Sequence, residues 1–158
     1  MRTNFWGNLV DGDVTLYVDE ITITESDGYM RDMYGFVNKN DEVVILHKYD
    51  HIEAILGELA IVTIYDDEKQ YKVINIKGET LNEYDDLRWY DQYNKGAACL
   101  DGKWGVISER CDVICPIEYE DIALCNESTF FVRLNKKWGV INSHNELICD
   151  FMFDDLVQ

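Results

Sequence analysis

Along most of this chain apolar and polar residues alternate in runs of four to eight, a period of two that belongs to strands rather than helices. The clearest run starts at Trp104. Trp104 to Ile107 is aromatic and β-branched, Glu109 to Asp112 is polar, and Val113 to Cys115 returns as a second strand that Pro116 is expected to end, because proline offers no ladder donor. Tyr119-Glu120-Asp121-Ile122 reads as a corner, and Thr129 to Leu134 as a third strand. The tripeptides Asp101-Gly102-Lys103 and Asn135-Lys136-Lys137 read as the turns that lead into Trp104 and Trp138; Asp-Gly between two apolar runs is a strong hairpin signal.

The pattern repeats. Trp104-Gly105-Val106-Ile107-Ser108 and Trp138-Gly139-Val140-Ile141-Asn142 are two copies of one phrase with a period of 34 residues. Weaker copies stand at Tyr71-Lys72-Val73-Ile74-Asn75 and Tyr34-Gly35-Phe36-Val37-Asn38, with Trp6-Gly7 as a degenerate first. A second phrase keeps the register. Phe153-Asp154-Asp155-Leu156, Tyr119-Glu120-Asp121-Ile122 and Tyr49-Asp50-His51-Ile52 each begin 15 residues after their own repeat start. Tyr84-Asp85-Asp86-Leu87 begins 13 after, and Val18-Asp19-Glu20-Ile21 begins 12 after. The expected fold is therefore one all-β repeat domain over 1–158, with about five short antiparallel units starting near 6, 34, 71, 104 and 138. The first and last units serve as caps, and the last, stopping after Leu156, lacks a third strand. A unit of three strands cannot bury both faces alone, so the units stack, as an open superhelix. The alternative is a small closed propeller-like ring, completed by the N-terminal Thr3 to Val10 strand.

The phrases Lys103-Trp104-Gly105-Val106-Ile107 and Lys137-Trp138-Gly139-Val140-Ile141-Asn142, with the aromatic-acid-x-aliphatic corner, resemble WG-repeat proteins. That resemblance implies a bacterial β-repeat protein whose repeats mediate interactions, and it brings no catalytic residues with it.

Composition narrows the partners. Against 14 basic residues stand 31 acidic ones, a formal net charge of −17, which repels nucleic acid and anionic membrane surfaces. The expected partner is a basic protein. The opening Met1-Arg2-Thr3-Asn4 leads into polar residues without the apolar stretch of a signal peptide, and no segment is long enough to span a bilayer. Five cysteines with no C-x-x-C suggest neither a disulfide framework nor a zinc ribbon, which points to a reducing cytoplasm.

Acids recur at the corners. The second corner position is acidic in all five copies, at Asp19, Asp50, Asp85, Glu120 and Asp154. A side chain used whenever a corner is made is expected to cap backbone donors there. The third position holds Glu20, His51, Asp86, Asp121 and Asp155. It tolerates a histidine, so it is expected to face solvent without bonding backbone. Stacking would place Glu20, Asp86, Asp121 and Asp155 in a row, and these four are the candidate partner-binding residues.

No catalytic, metal or cofactor site is expected. Cys111, Cys115, Cys125, His144 and Cys149 could be drawn as a metal cluster, but Cys115 and Cys149 both lie 11 residues after their repeat start, where the 34 copy has Ile45, so they read as small buried hydrophobes. The histidines at 47, 51 and 144 stand without a G-x-S-x-G nucleophile phrase. Gly96, Gly102 and Gly105 match no phosphate-binding fingerprint. Three functions compete: a non-catalytic module holding a protein partner, an immunity protein neutralising a basic toxin, and a carboxylate-dependent hydrolase.

Overall fold

The computed structural model describes residues 2–154, with side chains from Trp6 onward. It is all-β and contains four sheets, each of four antiparallel strands in chain order, none closed into a barrel. Sheet 1 holds β1 (Arg2–Asp11), β2 (Val14–Thr24), β3 (Met30–Val37) and β4 (Val43–Tyr49). Sheet 2 holds β5 (His51–Leu56), β6 (Leu59–Tyr65), β7 (Lys69–Ile74) and β8 (Thr80–Tyr84). Sheet 3 holds β9 (Asp86–Tyr90), β10 (Lys95–Leu100), β11 (Lys103–Ile107) and β12 (Val113–Tyr119). Sheet 4 holds β13 (Asp121–Leu124), β14 (Thr129–Leu134), β15 (Lys137–Asn142) and β16 (Leu147–Phe153). Sheets 1 and 2 form one compact body, up to Glu83, and sheets 3 and 4 form a second, from Tyr84 onward.

Four sheets replace the expected five units, and the boundaries fall at the corners. The aromatic phrase is the third strand of every sheet: β3, β7, β11 and β15. A unit counted from that phrase takes the last two strands of one sheet and the first two of the next. The 18–21 segment is not a corner, because β2 runs unbroken through it. Trp6-Gly7 is likewise no third strand. It lies in β1, which pairs with β2, so the N-terminal strand belongs to sheet 1 and does not complete the last unit. Counted from Trp138, the last unit holds two strands among the described residues, β15 and β16, which complete sheet 4.

Each phrase residue has a distinct task. The glycine admits a close backbone approach: a Cβ built on Gly35 would stand 2.5 Å from the Ile45 carbonyl oxygen, and one on Gly105 the same distance from that of Cys115. Gly139 is looser, 3.0 Å from the Cys149 oxygen. The approach is made by a bulge in the neighbouring fourth strand, where Tyr34 pairs with Tyr49 but Phe36 pairs with Ile45, and the same slip occurs at Trp104/Val106 and Trp138/Val140. Pro116 sits inside this bulge. It does not end β12, since an edge bulge asks no amide of it. The third copy shows the converse: Lys72 stands where the glycine would, half-buried and paired with Glu83 at 3.2 Å, and its fourth strand is five residues long where β4, β12 and β16 have seven. The two residues missing from its 13-residue spacing are the bulge itself.

The last phrase residue makes the turn. Asn38 Oδ1 accepts the amides of Asn40 and Glu42, Asn75 those of Lys77 and Glu79, and Asn142 those of His144 and Glu146, while Ser108 Oγ does the same for Arg110 and Asp112. Each loop ends on a left-handed residue, Asp41, Gly78, Cys111 or Asn145, as three-residue hairpin loops require. The Asp101-Gly102 turn forms as expected, both residues having positive φ.

Apolar faces then close pairwise. Val18, Phe36, Ile45 and Tyr49 of sheet 1 pack on Ile52, Ala60, Val62 and Ile74 of sheet 2, all at most 4 % exposed. Ala97, Val106, Cys115 and Tyr119 of sheet 3 pack on Ile122, Phe130, Val132 and Ile141 of sheet 4. Each fully buried Phe or large aliphatic here contributes roughly 1.5–3 kcal/mol, so these faces outweigh any single polar contact on the surface.

Cys115 and Cys149 occupy the register position of Ile45, opposite Val106 and Val140, and Cys115 is fully buried. All five cysteines are free thiols. Burial, aided by the Asp112 charge, pushes the Cys111 thiol up to about 11; burial, with Glu118, pushes Cys115 up to about 12. Thiolate is the reactive form. An aromatic disulfide reagent at neutral pH is therefore expected to label exposed Cys125 first and half-buried Cys149 next, and to reach Cys115 only on unfolding. Native labelling of Cys115 as fast as Cys125 would contradict this packing.

Candidate functional site

Corners carry the chain from one sheet to the next, and their acids bond the hairpin that follows them. The amides of Asp50, Asp85 and Glu120 donate to the carbonyls of Thr63, Cys99 and Arg133, on the second strand of the following sheet. Their carboxylates reach that sheet's next hairpin, accepting the amides of Tyr65 at 2.7 Å, Asp101 at 2.7 Å and Lys136 at 3.1 Å. The expected capping role holds at these three positions. Asp154 differs and binds the Lys137 ammonium. Asp19 is not at a corner. It lies within β2 and meets His47 Nε2 at 2.6 Å. Burial pushes its carboxyl up, but hydrogen bonds and the positive charge around it, His47 included, outweigh that and hold it below its ordinary value. A general acid needs the opposite displacement.

The third-position acids do bond backbone, contrary to expectation. Asp86 Oδ1 accepts the Leu87 amide and Asp121 Oδ1 the Ile122 amide, both at 2.8 Å, because each opens a strand whose first amide lies beside the carboxylate. Asp121 also pairs with Arg88 at 3.2 Å, with both side chains a little over 40 % exposed. Asp86 and Asp121 stand at equivalent places, the first residues of β9 and β13. Glu20 does not: it is inside β2, opposite Tyr34. Asp155 lies outside the described residues. The four candidates thus comprise one equivalent pair, one strand residue, and one position beyond the described chain.

A concave feature that the repeat pattern does not announce lies in the first body. It is a cleft of about 490 Å³ lined by Tyr29, Met30, Arg31, Asp32, Tyr34, Asp50 and Tyr65. Tyr29 is 66 % and Tyr65 53 % exposed. Arg31 contributes little free charge, since its Nε meets Glu25 at 2.9 Å and its Nη1 meets Asp50 at 3.2 Å. Asp32 accepts a hydrogen bond from Thr22. Burial first, then the charges of Glu20 and Asp32, raises the Tyr34 hydroxyl above its ordinary value. The cleft is therefore acidic on balance and faced with rings. Lys69 Nζ already lies 5.4 Å from the Tyr65 ring centre and 4.8 Å from that of Tyr71, so a tyrosine of this wall takes an ammonium within the chain. The sequence signals for this place are Tyr34 in its phrase and Asp50 at its corner; Tyr29, before β3, and Tyr65, ending β6, belong to neither phrase.

Among the described residues no group of three His, Cys, Asp or Glu side chains is placed to hold a metal ion, and no helix is long and apolar enough to cross a membrane. Residues 34–66 and 104–138 match the WG containing repeat family. Both matches begin at the third strand of one sheet and run through the second strand of the next, so the family's sequence repeat is the same offset unit that the phrases mark. No curated protein and no solved structure matches the chain.

Proposed function

We propose that this chain, carrying WG-containing repeats, works as a non-catalytic module that holds a protein partner offering basic side chains. The observation that supports this most is the cleft at Tyr29, Tyr34 and Tyr65, where rings and carboxylates stand together around an arginine already neutralised by Glu25 and Asp50. A lysine or arginine entering it gains ring contact and unlike charge at once, about 0.5–1 kcal/mol per exposed ring. The net charge of −17 acts at longer range, speeding encounter with a basic surface. Glu20, Asp86, Asp121 and Asp155 belong to that outer field. Five free thiols are consistent with a reducing cytoplasm as the setting.

The test is kinetic. With a partner captured from native extract, the association rate of the parent is expected to fall steeply as salt rises, and Asp86→Lys with Asp121→Lys to slow association before it changes dissociation. Tyr29→Ala with Tyr65→Ala should speed dissociation instead. An association rate indifferent to salt and to charge reversal would leave the acidity without a binding role.

A further inference from the structure

The hairpins that join second to third strands can be compared residue by residue, because the position just before the phrase aromatic has a cross-strand partner in every sheet. In sheet 3 that pair is Leu100 with Lys103 and in sheet 4 Leu134 with Lys137, and a two-residue turn closes each. In sheet 1 the equivalent pair is Ile21 with Met33, and in sheet 2 Ile64 with Gln70. Residues 22–32 therefore fill in sheet 1, and residues 65–69 in sheet 2, a place where two residues close the hairpin elsewhere. Sheets 3 and 4 form without either extension. Insertions that a repeat scaffold does not need for folding are where such scaffolds carry recognition.

The cleft is built from these two extensions. Tyr29, Met30, Arg31 and Asp32 come from the first and Tyr65 from the second, while Tyr34 and Asp50 are repeat positions. Arg31 pins the first extension to the corner by donating to Asp50 Oδ1, and Asp50 Oδ2 takes the Tyr65 amide. Both oxygens of that carboxylate are thus engaged, and the guanidinium it can pair with is supplied within the chain. Asp32 Oδ1 takes the Thr22 hydroxyl, whereas Asp32 Oδ2 accepts no hydrogen bond among the described residues. What an incoming cation meets is one carboxylate oxygen beside tyrosine rings. A guanidinium, with five donors in a fixed planar fork, needs more acceptors than that; a compact ammonium does not. The chain's own cations divide the same way: Lys69 lies over Tyr65 and Tyr71 and Lys48 over Tyr49, while Arg88 lies over Trp104.

We infer that the 22–32 extension is a recognition arm, and that the cleft it forms over the Asp50 corner takes the ammonium of a lysine side chain in preference to an arginine guanidinium. The inference rests on the basic-partner reading of the cleft and narrows it to one cation.

Two capped tripeptides, acetyl-Gly-Lys-Gly-amide and acetyl-Gly-Arg-Gly-amide, serve as probes, titrated at physiological salt so that the net charge does not gather both alike. The ring and amide resonances of Tyr29, Tyr34 and Tyr65 report occupancy. The lysine peptide is expected to shift them and saturate, and the arginine peptide to bind roughly three- to tenfold more weakly. Asp32→Asn should lower lysine affinity about tenfold and erase the preference. Replacing residues 22–32 by Asp-Gly, the turn that sheet 3 uses, should leave a chain that melts cooperatively and binds neither peptide. Arginine binding as tight as lysine, or tighter, would overturn the lysine preference while leaving the basic partner in place. No binding of either peptide, or a shortened chain that binds lysine as the parent does, would overturn the inference. So would a shortened chain that fails to fold, since the arm would then serve the fold; Asp32→Asn tests the lysine contact with the arm intact. The basic-partner reading fails separately, when a captured partner leaves Tyr29→Ala with Tyr65→Ala no faster than it leaves the parent.

Discussion

Gly105→Ala is expected to destabilise the protein by about 1–3 kcal/mol, a large loss for the addition of one methyl group. The new Cβ would stand 2.5 Å from the Cys115 carbonyl oxygen and 2.8 Å from Ile117 Cα, both backbone atoms of β12, so no side-chain rotation can make room. Relief requires β12 to move off β11, and the bulge that aims Tyr119 into the core moves with it. Gly35→Ala should cost as much, since Ile45 and His47 backbone atoms lie 2.5 and 2.8 Å away. Gly139→Ala should cost less, its nearest atoms being 3.0 Å off and one of them on the Phe151 ring. Lys72→Gly, in the sheet whose fourth strand lacks the extra residues, should gain nothing from the space and should lose the Glu83 pair. Chemical denaturation of the four variants supplies the ranking, and an unchanged Gly105→Ala would refute the bulge as the reason for the glycine.

Trp138→Ala is expected to cost more still, about 3–5 kcal/mol, the usual loss on truncating a buried aromatic. Trp138 is 9 % exposed and opens β15, paired to Phe153. Trp104 holds the equivalent place in β11, but it is only half-buried, and the Arg88 guanidinium covers its ring at 4.1 Å from the centre. Its truncation should therefore cost less, and part of that cost should also be seen in Arg88→Ala. A Trp138→Ala melt that matched the parent would mean that the phrase does not build the core.

Much of this architecture is legible in the sequence because the repeats compare themselves. The phrase, the corner and the two-residue Asp101-Gly102 turn recur at fixed distances, and each proves to be one structural device: third strand, crossing point and hairpin. The equivalence of Cys115, Cys149 and Ile45 follows from register alone. Where the reading failed, the cause is phase. Periodicity shows that a unit recurs but not where its hydrogen bonding begins and ends, so units counted from the tryptophan straddle two sheets, and five starts became four sheets. Val18-Asp19-Glu20-Ile21 has the corner's residue types without its position, since any alternating strand edge with acids produces that pattern. Pro116 reads as a stop because the bulge that tolerates it leaves no residue signature of its own; only the 15-residue spacing against 13 carries that information.

The candidate site was less legible. Recurrence marks folding roles as readily as binding ones, and Asp86 and Asp121 each bond the amide of the next residue, Leu87 and Ile122. The cleft joins the recurring Tyr34 and Asp50 to two residues that do not recur, Tyr29 in the turn before β3 and Tyr65 ending β6, and these come together only when the corner at Asp50 folds sheet 2 against sheet 1.

The corner linkage is the claim on which the four-sheet architecture rests, and amide hydrogen exchange reads it residue by residue. The account predicts slow exchange at the amides of Asp85 and Glu120, bonded to Cys99 and Arg133, and at those of Asp101 and Lys136, bonded to the Asp85 and Glu120 carboxylates. Glu120→Ala should release Lys136 selectively while Asp101 stays protected. Fast exchange at all four amides, with protection continuous only within runs that begin at Trp104 and Trp138, would contradict it and restore a unit that starts at the tryptophan.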